Sequence, residues 1–325
     1  MSSQRDIFLT HLLERAKVDK DVYLISVDMG APSLDRWREE LPDQFFAAGI
    51  SEQNAINFAA GLSATGKKVY VYFMACWAAR CFEQIRYSCA MANNPITILG
   101  NGVGLGYAPA GPAHEPTEDL AYMRSLCGIK IYSPTNACMA EKLVDLTCDV
   151  PKLRYIRLER KYPGVLDDFY KNIISSQRFL QNGISLIKGG LSDPPRQHKE
   201  KRVCILSSGY MLGRALDVSE RLISSGYEAS VVDLWKIKPI NTSLFEKIAA
   251  PYDLLVTLEE QTLSGGFGSA VAEVVIDLNL GKEVLRIGLP ERYIFENGNR
   301  EHLLDENGLS VHSIYEKIIT RILQE

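Results

Sequence analysis

The chain has 325 residues, 46% of them hydrophobic and 23% charged, which is ordinary for a globular protein with a large core. Its net charge of −4 and pI near 5.9 give no electrostatic reason to expect nucleic acid or an anionic membrane as a partner. The longest apolar run, residues 69–79, is too short to span a bilayer, and residues 1–17 lack the apolar core of a signal peptide. The seven cysteines form no C-x-x-C motif and no Cys/His pairing, so we expect reduced thiols without a metal role in a cytoplasmic protein.

Helix-like and strand-like segments alternate along the chain. In the first part we predict, in order, a helix at 6–16, a strand at 22–27, a helix opening at 49–52, a strand at 68–73, a helix at 82–92, strands at 95–99 and 129–132, a helix at 137–146 and a strand at 152–158. The second part continues with a strand at 203–207, a helix from Met211, strands at 229–233 and 254–258, and a helix at 270–278. Short apolar strands alternating with helices predict an α/β fold with mainly parallel sheets covered on both faces.

The stretch 188–201 is rich in Gly, Pro and charge, which is typical of a linker or an exposed loop. We therefore expect two domains, at 1–187 and 202–325, with the second the smaller.

The most informative segment is 46–63, FAAGISEQNAINFAAGLS, which places Glu52 on the first turn of a predicted helix. Acids are common in that position because they complement the positive helix N-terminus. Taken alone, the residues favour this structural explanation. A functional role for Glu52 depends on the wider resemblance described next.

Four stretches resemble the transketolase and 1-deoxyxylulose-5-phosphate synthase superfamily, whose enzymes use thiamine diphosphate. They are the glutamate segment 46–63, the loop and helix 111–124 (GPAHEPTEDLAYMR), the segment 259–269 (EEQTLSGGFGS) and the segment 287–292 (IGLPER). Their order and spacing fit over nearly all of the chain. The resemblance implies a pyrimidine-binding domain followed by a smaller α/β transketolase C-terminal domain.

Enzymes of this superfamily hold the cofactor's diphosphate through Mg²⁺ at a Gly-Asp-Gly motif, which this sequence lacks. The chain therefore resembles the C-terminal subunit of a split transketolase. The resemblance implies an N-terminal partner subunit that holds the diphosphate and Mg²⁺, a homodimer of this chain, and an α2β2 assembly with thiamine diphosphate shared between the subunits. No metal ligand is expected here.

Two residues match the superfamily's catalytic positions. Glu52 would bond a ring nitrogen of the aminopyrimidine and so promote loss of the thiazolium proton, a task that needs one carboxyl group in a dry pocket. His114, in a Gly/Pro-rich loop, would contact substrate oxygens or relay a proton.

The segment 74–84 matches the stretch that shapes the aromatic slot for the aminopyrimidine. Trp77 is the first candidate for the stacking residue, with Tyr72 and Phe73 as alternatives. Each of these aromatic residues could equally belong to the core. We also assign Arg80, from the same stretch, to the cofactor site.

Four further residues match positions that bind the substrate's anionic end. Arg160 fits best and Arg157 second, because a planar guanidinium binds phosphate in a bidentate manner. Arg5 and Ser33 fall near two other such positions.

The sequence also departs from the superfamily. Many relatives carry an aspartate where this chain has Ala110, and a histidine or arginine near the start of the loop where this chain has the cation-free stretch 100–106. We therefore expect transfer of a two-carbon ketol unit from a ketose to an aldose, with a modified, anionic sugar as substrate. Acyl chemistry, as in 1-deoxyxylulose-phosphate synthase or the beta subunit of a 2-oxo acid dehydrogenase, is the alternative within the fold. A non-catalytic scaffold subunit is a third possibility.

Overall fold

The computed structural model of the chain describes residues 3–160, 166–174, 177–189 and 201–324. Within these ranges the strands form a seven-stranded and a five-stranded sheet. The strands are β1 (Val22–Val27), β2 (Phe45–Gly49), β3 (Lys68–Met74), β4 (Ile96–Asn101), β5 (Lys130–Tyr132), β6 (Arg154–Leu158), β7 (Ser185–Lys188), β8 (Val203–Ser207), β9 (Ala229–Asp233), β10 (Lys236–Lys238), β11 (Leu254–Thr262) and β12 (Glu283–Leu289).

The helices cover the faces of both sheets. They are α1 (Gln4–Val18), α2 (Pro32–Glu40), α3 (Glu52–Ala64), α4 (Phe82–Gln84), α5 (Asp119–Ser125), α6 (Ala137–Asp149), α7 (Asp167–Ile173), α8 (Gln177–Asn182), α9 (Met211–Ser224), α10 (Thr242–Ala249), α11 (Phe267–Asp277), α12 (Arg300–Leu304) and α13 (Val311–Leu323). The predicted helix at 82–92 is instead α4 followed by a π-helix, Ile85–Met91.

Local sequence explains where several helices begin. Five of them start after a Ser or Asn whose side-chain oxygen accepts a hydrogen bond from a backbone N–H in the first turn, which satisfies a donor that the helix itself leaves unpaired. These capping residues are Ser3, Asn136, Asn241, Asn299 and Ser310.

Both sheets are mainly parallel, as the alternating pattern predicts. The first has the order β10-β5-β6-β4-β3-β1-β2 and is parallel except where β10 meets β5. The second has the order β12-β11-β8-β9-β7 and is parallel except where β7 meets β9. Strands β4, β6, β8 and β9 are buried throughout, since helices cover both faces.

Each sheet contains one strand from the other side of the predicted division. β7 lies in the predicted first domain, 1–187, apart from its last residue, Lys188, yet it pairs with the second sheet. β10 lies in the predicted second domain yet pairs with the first sheet. The boundaries remain a prediction, because residues 190–200 of the predicted linker lie outside the described ranges.

One apolar core joins the two domains. It contains Val71 and Phe73 from β3 as well as Leu206 from β8 and Phe267 from α11. Two further cores lie on the outer faces of the two sheets. Among the described helices, none is both long enough and apolar enough to cross a membrane.

Candidate active site

Most of the predicted site residues follow the carboxyl ends of strands in the first sheet. Ser33 lies after β1, Glu52 after β2, Trp77 after β3, His114 after β4 and Arg160 after β6. Because these five strands are parallel, their carboxyl ends meet at one edge of the sheet, where ligands bind in open α/β folds. The topology therefore gathers the predicted residues at a single edge.

Glu52 is a buried acid at the start of α3. Its side chain is only 3% exposed, and Oε2 lies 3.0 Å from Nη1 of Arg80, whose own side chain is 54% exposed. Gly49 adopts φ +66°, which lets the chain turn sharply from β2 into the helix. No donor in the described part of the chain meets Oε1 of Glu52, so this oxygen is available to a ligand.

The surroundings of Glu52 fit the aminopyrimidine end of thiamine diphosphate. That ring needs a carboxylate at one edge and an aromatic face beside it. Trp77, in the 3-10 helix Ala75–Ala78, is half-buried and so keeps part of its indole accessible. Tyr72 and Phe73 are fully buried in different cores, so among the three predicted aromatic residues Trp77 is the one with an accessible part of its ring.

His114 ends a short 3-10 helix, Pro112–His114, that follows Gly111 at φ +79°. Its ring atom Nδ1 is buried, and no hydrogen-bond partner meets it among the described residues. A buried imidazole nitrogen without a partner carries an energetic cost that a bound ligand could relieve. The described part of the fold therefore gives Nδ1 of His114 no hydrogen bond.

Arg160 is exposed and lies over the ring of Tyr107, with Cζ 5.2 Å from the ring centroid. Arg5 is engaged with its neighbour Asp6, whose Oδ1 also accepts a 2.8 Å hydrogen bond from Ser33 Oγ. Arg5 and Ser33 are thus held together through one carboxylate. Arg160 is the more accessible of the predicted anion ligands.

Arg157 has a different position from the one predicted. Its guanidinium is 4% exposed and binds Asp119 in a bidentate pair, with Nε 2.8 Å and Nη2 3.2 Å from the two carboxylate oxygens. Tyr155 donates a further hydrogen bond to Asp119. Arg157 therefore anchors the start of α5 and is closed to a substrate phosphate in this arrangement.

Two family models match most of the chain. The pyrimidine-binding domain of transketolase matches residues 2–163, and the C-terminal domain of transketolase matches residues 195–314. A curated relative, one subunit of the apulose-4-phosphate transketolase of Phocaeicola vulgatus, is 30% identical over 97% of this chain and 96% of its own length. The chain belongs to the transketolase family.

Further similarities show which type of transketolase-family transferase the chain matches over its length. A solved structure described as "Split gene transketolase, inactive beta4 tetramer" has a TM-score of 0.83 and 28% identity and covers 98% of both chains. The 1-deoxy-D-xylulose-5-phosphate synthase of Dictyoglomus thermophilum is 29% identical, but the match covers only 48% of its length. The chain thus corresponds to a whole split-transketolase beta subunit and to about half of the single-chain synthases. The family depends on thiamine diphosphate.

Sequence reasoning missed an ion cluster between the two domains of this transketolase chain. Arg300, at the start of α12, lies 2.8 Å from Glu159 after β6 and also pairs with Glu260 in β11. Oε2 of Glu260 accepts a 3.2 Å hydrogen bond from the backbone N–H of Leu105. The cluster fixes the loop after β4 to the second domain. Glu260 and Glu159 lay in segments that resemble the superfamily, Arg300 did not, and no spacing in the sequence links the three residues.

The motif at 259–269 has a structural explanation. The Glu259 carboxylate accepts hydrogen bonds of 2.6 and 2.7 Å from the backbone N–H groups of Phe267 and Gly268, at the start of α11. A Cβ at Gly266 would lie 2.3 Å from the same carboxylate. Burial raises the pKa of Glu259 to about 7. The glycines are needed for close packing around this acid.

Glu115, next to His114, is a second acid that the sequence did not single out. Its Oε1 is buried and has no partner among the described residues. Burial and, secondarily, the charge of Glu296 raise the pKa of Glu115 to about 7. The histidine loop therefore carries two neighbouring polar groups that the fold does not satisfy.

Proposed function

We propose that this chain is the C-terminal subunit of a two-chain transketolase that moves a two-carbon ketol unit from a ketose to an aldose. The observation that carries the proposal is Glu52, a buried carboxylate at the family's glutamate position with one oxygen held by Arg80 and the other available. The fold accounts for the bond to Arg80 but gives Oε1 no partner among the described residues.

Bound thiamine diphosphate would supply a thiazolium carbon that acts as the nucleophile. In our proposal Oε1 of Glu52 bonds a ring nitrogen of the aminopyrimidine, and Trp77 lies against the face of that ring. Arg80 keeps the Glu52 carboxylate in place. His114, which is partly buried and whose Nδ1 has no partner among the described residues, binds a substrate oxygen or moves a proton to or from it.

A partner subunit would hold the diphosphate and Mg²⁺, since the sequence contains no Gly-Asp-Gly motif. Four exposed apolar side chains on or beside α3 and the π-helix support an interface close to Glu52: Ile50, Phe58, Tyr87 and Met91. We propose an α2β2 assembly, in which two copies of this chain associate with two partner subunits. Light scattering tests this, and a strict monomer that forms no complex with the partner would contradict it.

The substrate is proposed to be an anionic, modified sugar. Arg160 offers an exposed guanidinium for the anion, whereas Ala110 cannot bond a sugar hydroxyl. A relative of this chain is named for apulose 4-phosphate, which suits a substrate outside the ordinary pentose-phosphate pair. The assembled enzyme should be assayed with that compound beside xylulose 5-phosphate and ribose 5-phosphate. Efficient turnover of the ordinary pair, with no gain from Ala110→Asp, would contradict the substrate proposal.

The same assay distinguishes ketol transfer from acyl chemistry. Similarity to the synthases, at 29%, nearly equals that to the transketolase subunit, at 30%. Pyruvate should replace the ketose donor only if the chain works as a synthase or dehydrogenase subunit. If no donor is consumed with any partner, the scaffold explanation gains support.

The direct test is Glu52→Gln, which removes the ionisable group but keeps the size of the side chain. We expect hydrogen–deuterium exchange at the thiazolium carbon in the assembled enzyme to slow by about 10²–10⁴-fold. Glu83→Gln, which changes an exposed acid in α4, is the matched control and should exchange at the normal rate. An unchanged rate in Glu52→Gln would refute the assignment.

A second test uses the chain alone. Without the partner it should bind thiamine diphosphate weakly, because half of the cofactor's contacts would be missing. Micromolar, magnesium-dependent binding by calorimetry would refute the division of the site between two chains. The cytoplasmic location expected from the cysteine pattern is part of the proposal and rests on the sequence alone.

A further inference from the structure

Tyr107 occupies a space that would otherwise belong to a side chain at position 102. Gly102 adopts φ +72°, and a Cβ built there would lie 2.0 Å from Cε2 of Tyr107. The Tyr107 hydroxyl accepts a 2.9 Å hydrogen bond from Nδ2 of Asn101, at the end of β4. The ring is therefore fixed on one side by the glycine and at its tip by the amide.

The exposed face of this ring supports Arg160. The guanidinium carbon lies 5.2 Å from the ring centroid, within the range of a cation–π contact. No described carboxylate forms a salt bridge with Arg160, unlike Arg157 and Arg300. Arg160 lines a cavity of about 410 Å³ together with Leu105, Gly106, Pro109, Tyr210, Asn299, Arg300 and Glu301.

The other cations near this cavity are already neutralised. Arg300 pairs with two glutamates, and Arg5 pairs with Asp6. Arg5 also lies beside Tyr72, whose pKa is raised by burial and by the neighbouring Tyr107 but lowered by Arg5. Glu301, an acid that also lines the cavity, pairs with Arg214. Among the described residues, Arg160 is thus the cation of this cavity that has no salt bridge.

We propose that Tyr107 is a positioning and specificity-determining residue that presents the Arg160 guanidinium to a phosphate monoester on the substrate. The proposal rests on the function proposed above. A guanidinium held flat on an aromatic face offers its outer edge to two oxygens of one tetrahedral anion. The ring also prevents a second cation at position 102 from sharing the anion. The geometry therefore selects a substrate with one small anionic terminus bound by a single arginine.

The test compares Tyr107→Ala with Tyr107→Phe in the assembled enzyme. Loss of the ring should raise KM for a phosphorylated acceptor, ribose 5-phosphate or glyceraldehyde 3-phosphate, about tenfold, since a partly desolvated cation–π contact is worth about 1–2 kcal/mol. KM for glycolaldehyde, which has no phosphate, should stay unchanged. Tyr107→Phe keeps the ring face and should stay within about threefold of the original protein. Tyr315→Ala, which removes another arginine–tyrosine stack on α13, is the control and should change neither constant.

A double-mutant cycle and a partner-free measurement complete the test. If Tyr107 acts through Arg160, adding Tyr107→Ala to Arg160→Ala should change KM no further. In the chain alone, inorganic phosphate should protect Arg160 from phenylglyoxal, and Tyr107→Ala should weaken that protection, read by peptide mass. Equal effects of Tyr107→Ala on glycolaldehyde and on phosphorylated acceptors would overturn the proposal. If Arg160→Ala left KM unchanged, and phosphate gave Arg160 no protection in the original chain, the anion role of Arg160 in the proposed function would fail instead.

Discussion

Replacing Arg300 by methionine tests the ion cluster that joins the two domains. The Arg300 side chain is 10% exposed, and its partners Glu159 and Glu260 are 3% and 4% exposed. Burial alone would lower the pKa of Arg300, but the two carboxylates hold it above its ordinary value. Arg300→Met leaves both carboxylates buried without their counter-charge. Removing one member of a buried ion pair costs about 3–5 kcal/mol.

Urea denaturation of the chain, followed by tryptophan fluorescence, measures this loss. With a denaturant slope of about 3 kcal/mol per M, the midpoint should fall by about 1–1.7 M. Burial raises the pKa of Glu260. Without Arg300 its carboxyl group would be protonated in the folded variant at acid pH and would lose its proton at a cost as the pH rises, so the deficit should grow between pH 5 and pH 8. Arg292→Met removes a pair with Glu296 in which both side chains are 46% exposed, and it should lower the midpoint far less than Arg300→Met. Equal losses in the two variants, or no pH dependence, would refute the reasoning.

Two more outcomes follow from buried acids and close-packed glycines. Burial raises the pKa of Asp233 to about 7 from 3.8, so the folded chain binds its proton more tightly than the unfolded chain, and stability contributed by this group should fall as pH rises from about 4 to 7. Asp233→Asn should therefore flatten the pH profile of urea denaturation between pH 5 and 8, and an unchanged slope would contradict the assignment. Gly266→Ala should cost about 1–3 kcal/mol because its Cβ meets Glu259, whereas Gly61→Ala, at an open helical position, should be neutral or stabilising by thermal denaturation.

The fold was largely predictable because its strands are short, apolar and regularly spaced. The strands at 22–27, 203–207 and 229–233 have the same bounds in the structure as in the sequence prediction. The strand β10 was missed, since Lys236 and Lys238 alternate with a single apolar residue and give a weak signal. The strand β7 was missed because it borders the Gly- and Pro-rich stretch 188–201 and none of its four residues is fully buried.

The site was predictable only where a local motif marks it. Glu52 and His114 lie in recognisable segments, and the structure places them after β2 and β4; their roles stay a prediction. Arg157 has the same residue type and nearly the same position as Arg160, yet the alternation of a strand turns it inward to Asp119. The cluster of Arg300, Glu159 and Glu260 could not be predicted, because packing of the two domains brings these residues together and no sequence spacing indicates that packing.

The exchange of β7 and β10 between the sheets has a consequence for any attempt to divide the chain. Truncation within 190–200 would remove β10 and leave β5 as an uncovered edge, with its backbone N–H and C=O groups facing solvent. The same cut would take β7 away from β9 and uncover an edge of the second sheet. Each fragment would thus have an exposed edge strand to which a strand of another molecule can pair. Each half therefore supplies a strand to the sheet of the other half. If the two fragments are co-expressed and associate, the pairs β5–β10 and β7–β9 should both form again.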